Sequence, residues 1–341
     1  MRFRRFFVCL LVLGLILSMP ATAFGEEKIA VKALILPKFE VEKMAGDFPG
    51  EAQYYYEHYL MDADSYEIPG GMPGGRLYVK DGVGLYLLGM GKISAAFGTA
   101  AVLSDSRFDF SDAFILSTGC AGSSVGSTVM GDVFVITAAI DYDLGHHADS
   151  REMLDPTKPT WFRESDFDDI AVVRLNEDLM DRVFSLVENE PLQTTERTRS
   201  YMASAYGNAP WAVRDPCVQR GTTVTADNYW KGVYDHANAV NMAETYSCKD
   251  AYATTEMEEV AVCRAVQSMG MLDRLIILRD SVNMDGFMHG ATPESLWGDR
   301  ETALDIATEE SEESADIFVT AMENNFAAGR VIIDAILAGE L

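Results

Sequence analysis

What most restricts this chain is how short its apolar runs are. Val31–Leu36, Val83–Leu88, Ala113–Ser117, Asp132–Ala138 and Leu275–Leu278 are brief stretches dominated by aliphatic and β-branched side chains. Runs of this length read as strands buried on both sides. Between them Ser94–Leu103, Leu175–Val187 and Met257–Met269 follow helical spacing, the last through Val262, Val266 and Met269 with Gly270 as its C-cap. Arg76–Lys80 and Val83–Leu88 flank Asp81-Gly82, a pair suited to the positive φ angles of a tight hairpin turn. Strands alternating with helices, plus one hairpin, predict an α/β chain whose mixed sheet is covered by helices on both faces.

The intervening segments Tyr142–Arg163 and Glu188–Arg220 are rich in Pro, Asn, Asp and Thr and read as long loops, with a short helix over Glu196–Tyr206. The tail opens acidic at Glu309 and continues as a helix to about Leu337. At the other end Arg2, Arg4 and Arg5 precede an apolar run from Phe6 to Leu17, and Ala21-Thr22-Ala23 forms a small-x-small cleavage site. Residues 1–23 are therefore expected to be a removable export leader, and 24–341 one mature domain. The leader's run of about a dozen residues falls short of the roughly twenty that span a bilayer. An exported, soluble protein, periplasmic or extracellular, is the expectation.

The formal charge is −26, and it becomes more negative without the leader's arginines. A surface of that sign repels nucleic acid and anionic lipid, both of which need Lys and Arg to displace counterions. Cys120, Cys217, Cys248 and Cys263 lie beyond the leader. In an oxidising compartment Cys217 and Cys248 are the pair best placed to bridge, and four buried thiols are the plainer alternative. There is no C-x-x-C and no H-E-x-x-H, so neither a metal nor any other cofactor is expected.

Several short motifs carry chemistry only weakly when taken one by one. Gly89-Met90-Gly91-Lys92 superficially resembles a phosphate loop, but Tyr86 stands at its first glycine and Ile93 replaces the Ser/Thr. Thr118-Gly119-Cys120-Ala121-Gly122, placed at a strand's carboxyl end, would let a flat ligand approach the backbone. Asp227-Asn228-Tyr229-Trp230 offers an aromatic surface for a heterocyclic base, or equally a pair of rings packed in the core. Thr255-x-x-Glu258 fits a capping box, while a carboxylate there could instead accept two sugar hydroxyls. Arg279-Asp280-Ser281-Val282-Asn283 ends the last strand in polar residues.

The order and spacing of these motifs resemble the nucleoside phosphorylase/nucleosidase superfamily, and among its branches the purine nucleoside permease family. The Lys38-Phe39-Glu40-x-Glu42 opening and the Asp227–Trp230 run fit that branch, and the resemblance covers roughly residues 30 to 300. It implies a three-layer α/β/α fold around a mixed, barrel-like sheet. It also implies that Met257 packs under a ribose whose hydroxyls Glu258 accepts, and that Tyr229 and Trp230 stack against and edge the base. Cys120, Ala121 and Gly122 would line the pocket, Asn283 would hydrogen-bond the purine, and Glu42 or Glu40 would stand near the acid that activates water. The chain departs from the pattern twice. Ser117 occupies the position of the phosphorylases' phosphate-binding arginine, and Asn283 stands where nucleosidases and many phosphorylases keep a base-protonating aspartate.

Two functions follow from the resemblance. The first is an exported purine-nucleoside-binding protein for uptake, handing its ligand to a separate membrane transporter. The second is an N-glycosidic enzyme, most simply a hydrolase using Glu42, Glu258 and Asn283. A homodimer is open under both readings, and no nucleic-acid partner is expected.

Overall fold

A computed structural model describes residues 27–155, 158–286 and 312–341, with side chains of the last stretch from Asp316 on. The expected leader lies outside the described residues, as does the acidic opening of the tail at Glu309. Ten strands form the main sheet: β1 (Ala33–Leu36), β2 (Asp64–Glu67), β3 (Arg76–Lys80), β4 (Val83–Tyr86), β5 (Phe114–Ser123), β6 (Val133–Asp141), β7 (Val172–Arg174), β8 (Val218–Thr225), β9 (Tyr252–Glu256) and β10 (Leu275–Met284). The order is β7-β6-β8-β9-β5-β1-β4-β3-β2, and β10 bridges β5 and β6. That bridge closes β5, β10, β6, β8 and β9 into a five-stranded barrel, from which β1, β4, β3 and β2 extend as a wing. Closure leaves those five strands no free edge to pair with another chain.

The wing's hairpin is set by its turn. Asp81 and Gly82 both take positive φ, 50° and 83°, and Lys80 pairs with Val83 across them. The barrel strands are apolar on both faces. Ile115 and Leu116, Val133 to Ile136, and Ile276 to Leu278 are all fully buried, because helices pack on the sheet. These helices are α1 (Gln53–Tyr59), α2 (Lys92–Ser104), α3 (Glu177–Val187), α4 (Glu196–Tyr206), α5 (Val233–Thr245), α6 (Glu259–Ser268) and α7 (Glu312–Ala338). α2 packs on α6, and α7 runs along β10 and β5. Asn325 pins α7 to the barrel, accepting from Tyr55 and Thr118 and donating to Asp280.

Three expectations need correction. The strands expected to stop at Ser117 and Leu278 continue to Ser123 and Met284, so the glycine-rich run is strand rather than loop. They continue because they pair in parallel with each other from Leu275↔Ile115 to Met284↔Ser123, which satisfies the backbone of small and polar residues whose composition alone signals a strand end. α5 falls where no helix was expected. Its buried face includes Asn238, which accepts from the Thr160 and Trp161 N–H groups and donates to Tyr142 and Thr160, so a polar anchor interrupts the apolar stripe. Finally, all four cysteines are free thiols. Cys217 lies beside the Arg214–Asp132 ion pair, whereas Cys248 packs on an aromatic cluster with Trp230 and Tyr252.

Candidate functional site

The carboxyl halves of β5, β9 and β10 converge on a cavity of about 90 Å³ that opens to solvent. Of the residues singled out in the sequence, Cys120, Ala121, Gly122, Tyr229, Met257, Glu258 and Asn283 all border it, and Trp230 borders an adjoining lobe together with Asn283. Asn283 reaches the cavity through a bulge. Ser281 pairs with Ala121 and Asn283 with Gly122, so Val282 is an extra residue, and both Val282 and Asn283 face the cavity. Gly122 beside them keeps the packing relaxed, since a Cβ there would lie 3.1 Å from Thr255 and 3.4 Å from the Asn283 amide and those side chains would have to give way.

The floor is a buried charge cluster. Glu258 accepts from the Gly91 N–H at 2.9 Å through Oε1 and from Arg279 at 3.1 Å through Oε2. Arg279, 1% exposed, also donates to Glu259 at 2.8 Å and to the Cys120 carbonyl at 2.7 Å. Lys38 donates to Glu259 at 2.8 Å, to Ser117 at 2.7 Å and to the carbonyls of Leu36 and Thr118. Burial alone would push the Glu259 carboxyl up, but the charges of Lys38 and Arg279 more than offset it and hold the group below its ordinary value. Glu256, buried with Glu258 and Glu259 as like-charged neighbours, is pushed up by burial despite Arg279.

Glu256 also replaces the expected capping box. Its Oε2 accepts from the Glu258 and Glu259 N–H groups at 2.6 and 2.8 Å, and Thr225 Oγ1 takes the Val260 N–H. Thr255 has no part in this cap, because Glu256 at the end of β9 and Thr225 on the neighbouring β8 already satisfy these N–H groups. The start of α2 is similarly filled from within. The Gly91 N–H holds Glu258 and the Lys92 N–H holds Asp227 at 2.7 Å, so the Gly-x-Gly turn binds the protein's own carboxylates.

The acid expected at Glu42 or Glu40 lies elsewhere. Glu42 is exposed and does not border the cavity. Glu40 stitches the neck of the loop before α1, accepting from the N–H groups of Val41, Gly50 and Ala52. Gly50 is required there, since a Cβ would sit 2.8 Å from the Glu40 Cα. That neck delivers Glu51, which is buried and borders the cavity, accepting from Lys38 N–H at 2.7 Å and Cys120 N–H at 2.9 Å. Glu51 was missed in the sequence, where a Pro49-Gly50 turn followed by an acid is its sole local signal.

The two aromatic residues divide their roles. Tyr229 is 84% exposed at the cavity mouth. Trp230 is buried and stacks on Tyr142 with ring centroids 5.5 Å apart, so it belongs both to the core and to the lobe wall.

A closed five-stranded barrel with a pocket at its strand ends is the architecture of nucleoside phosphorylases and nucleosidases. A 5′-methylthioadenosine/S-adenosylhomocysteine nucleosidase of Helicobacter pylori superposes with a TM-score of 0.52 at 14% identity, over 92% of this chain and all of that one. A nucleosidase of the same name from Colwellia psychrerythraea, solved with adenine, gives 0.49 at 19% identity, over 89% of this chain and 96% of that one. The model of the purine nucleoside permease family matches residues 30–339, and the chain belongs to that family. A probable purine nucleoside permease of Schizosaccharomyces pombe is 26% identical over 226 residues, which is 58% of this chain and 63% of that relative's length.

Proposed function

We propose that the cavity binds a purine nucleoside, with the ribose at Glu258 and Met257 and the base between Tyr229 and Asn283. The observation that carries this reading is the Glu258 carboxylate, buried at the cavity floor and held by the Gly91 N–H and Arg279. A carboxylate has about four lone-pair positions, so two remain for a vicinal diol. Asn283 can both donate to and accept from the edge of a base. For uptake, the leader would carry the chain outside the cytoplasm. A separate membrane transporter would then be needed, since no helix among the described residues is long and apolar enough to cross a membrane.

Hydrolysis is the second reading, and Glu51 favours it. A second buried carboxylate on the same cavity can take a proton from water as the water oxygen attacks C1′ and the C1′–N bond breaks, the base leaving with the bonding pair and taking a proton from solvent, while Glu258 steadies the developing positive charge on the sugar. Phosphorolysis is disfavoured. Lys38 and Arg279 are engaged by the protein's own oxygens, and Ser117 is buried between Lys38 and Glu259 rather than facing the cavity. The purified chain incubated with inosine and adenosine, with and without phosphate, separates these readings. Saturable binding without free base supports uptake, phosphate-independent base release supports hydrolysis, and the absence of binding removes the nucleoside altogether.

A further inference from the structure

Asp285 is buried and lines the base lobe, and neither reading above uses it. It gathers four elements. Its Oδ2 accepts from His236 Nδ1 of α5 at 2.9 Å and from the Tyr252 hydroxyl of β9 at 2.7 Å. Its Oδ1 accepts from the Val125 N–H at 3.1 Å, and its carbonyl accepts from the Gly232 N–H at 2.8 Å. Gly232 ends the segment that carries Tyr229 and Trp230, and the start of that segment is tied by Asp227 to the Lys92 N–H. The aromatic segment is thus anchored at one end to α2 and at the other to Asp285.

We propose that His236 and Asp285 are positioning residues, a latch that holds the Tyr229–Trp230 segment against the base lobe. His236 is a quarter exposed, so solvent protons reach it. Its hydrogen bond to Asp285, more than burial opposes, raises its pKa above the ordinary 6.5. The other ionisable groups around the pair are Lys231, Tyr252, Tyr206, Tyr142 and Asp235. Burial lowers the Lys231 pKa and raises those of the three tyrosines. Asp235 is engaged by the Tyr142 hydroxyl. A histidine pKa that is raised in the fold stabilises fully below the ordinary value and ceases to as pH climbs through the raised one. A neutral imidazole still donates from Nδ1 to the carboxylate, so the latch weakens from an ion pair to a hydrogen bond assisted by the acceptor's charge alone, rather than breaking.

The latch does not depend on what the cavity holds; its effect on affinity rests on the nucleoside reading. The test is hydrogen exchange at residues 227–232 of the unliganded chain, corrected for intrinsic rates, at about pH 5.5 and about pH 9, alongside the Kd for inosine. The wild-type segment should open severalfold more at the higher pH, as the bond loses the charge of its donor, with the Kd weakening in parallel. His236→Gln keeps a neutral donor and should flatten the pH dependence. His236→Leu should leave the segment open at both pH values. Equal exchange in wild type and His236→Leu at both pH values overturns the latch. Exchange that tracks His236 while inosine fails to bind upholds the latch and removes the nucleoside reading alone.

Discussion

The floor and the mouth of the cavity are built by opposite means. At the floor, Arg279 and Lys38 are shared among Glu256, Glu258 and Glu259, every one of them buried. At the mouth, Tyr229, Met90 and Asn283 are exposed. A buried ion network fixes geometry because each charge, once stripped of water, has only its partners to turn to. An exposed aromatic gives contact area without a fixed environment. Under the proposed nucleoside reading, the contrast puts what is constant in the ligand, the sugar, at the floor, and what varies, the base, at the mouth.

Four substitutions break or sharpen that contrast. Arg279→Met leaves a cluster of buried carboxylates without its central cation and should cost about 3–5 kcal/mol of stability by urea denaturation. A loss under about 1 kcal/mol would mean the floor is not held by charge. Glu258→Gln keeps shape but replaces a charged acceptor, and nucleoside affinity measured by calorimetry should fall by about 2 kcal/mol. Unchanged affinity would move the sugar away from the floor. Tyr229→Ala should weaken binding by about 1 kcal/mol with no change in melting temperature, since the ring is almost wholly exposed. A fall in stability there would show the mouth to be as structural as the floor. The smallest effect belongs to Glu42→Gln, expected to change stability, affinity and any turnover by less than about 0.5 kcal/mol. Loss of turnover in that variant would restore the acid role to a residue that the structure leaves in solvent.

Local features were readable in the sequence, and long-range ones were not. The Asp81-Gly82 turn needs only its own two φ angles, and α4 spans Glu196–Tyr206 as read, with Thr195 accepting from the Thr198 N–H at its start. The motifs forming the cavity were legible through their resemblance to a family, and they do come together. What escaped depends on partners far along the chain. Glu51 is useful only because Cys120, 69 residues on, offers it an N–H. Lys38 matters because Glu259 lies 221 residues away. Local composition likewise could not show that Thr118–Gly122 and Arg279–Asn283 would complete each other as strands.

The bulge in β10 carries a consequence about counting. Most positions around the cavity are specified by identity, so substitution is the natural way to retune them. Val282 is different, because what it supplies is one residue more than β5 has opposite it. Exchanging Val282 for another side chain alters what that one position presents to the cavity, yet two consecutive side chains still face it. Only removing a residue would restore plain alternation and turn one of them away. Retuning this wall of the cavity is therefore open to changes in chain length as well as in side chain, and a chain one residue shorter here would present a different wall even with every named residue kept.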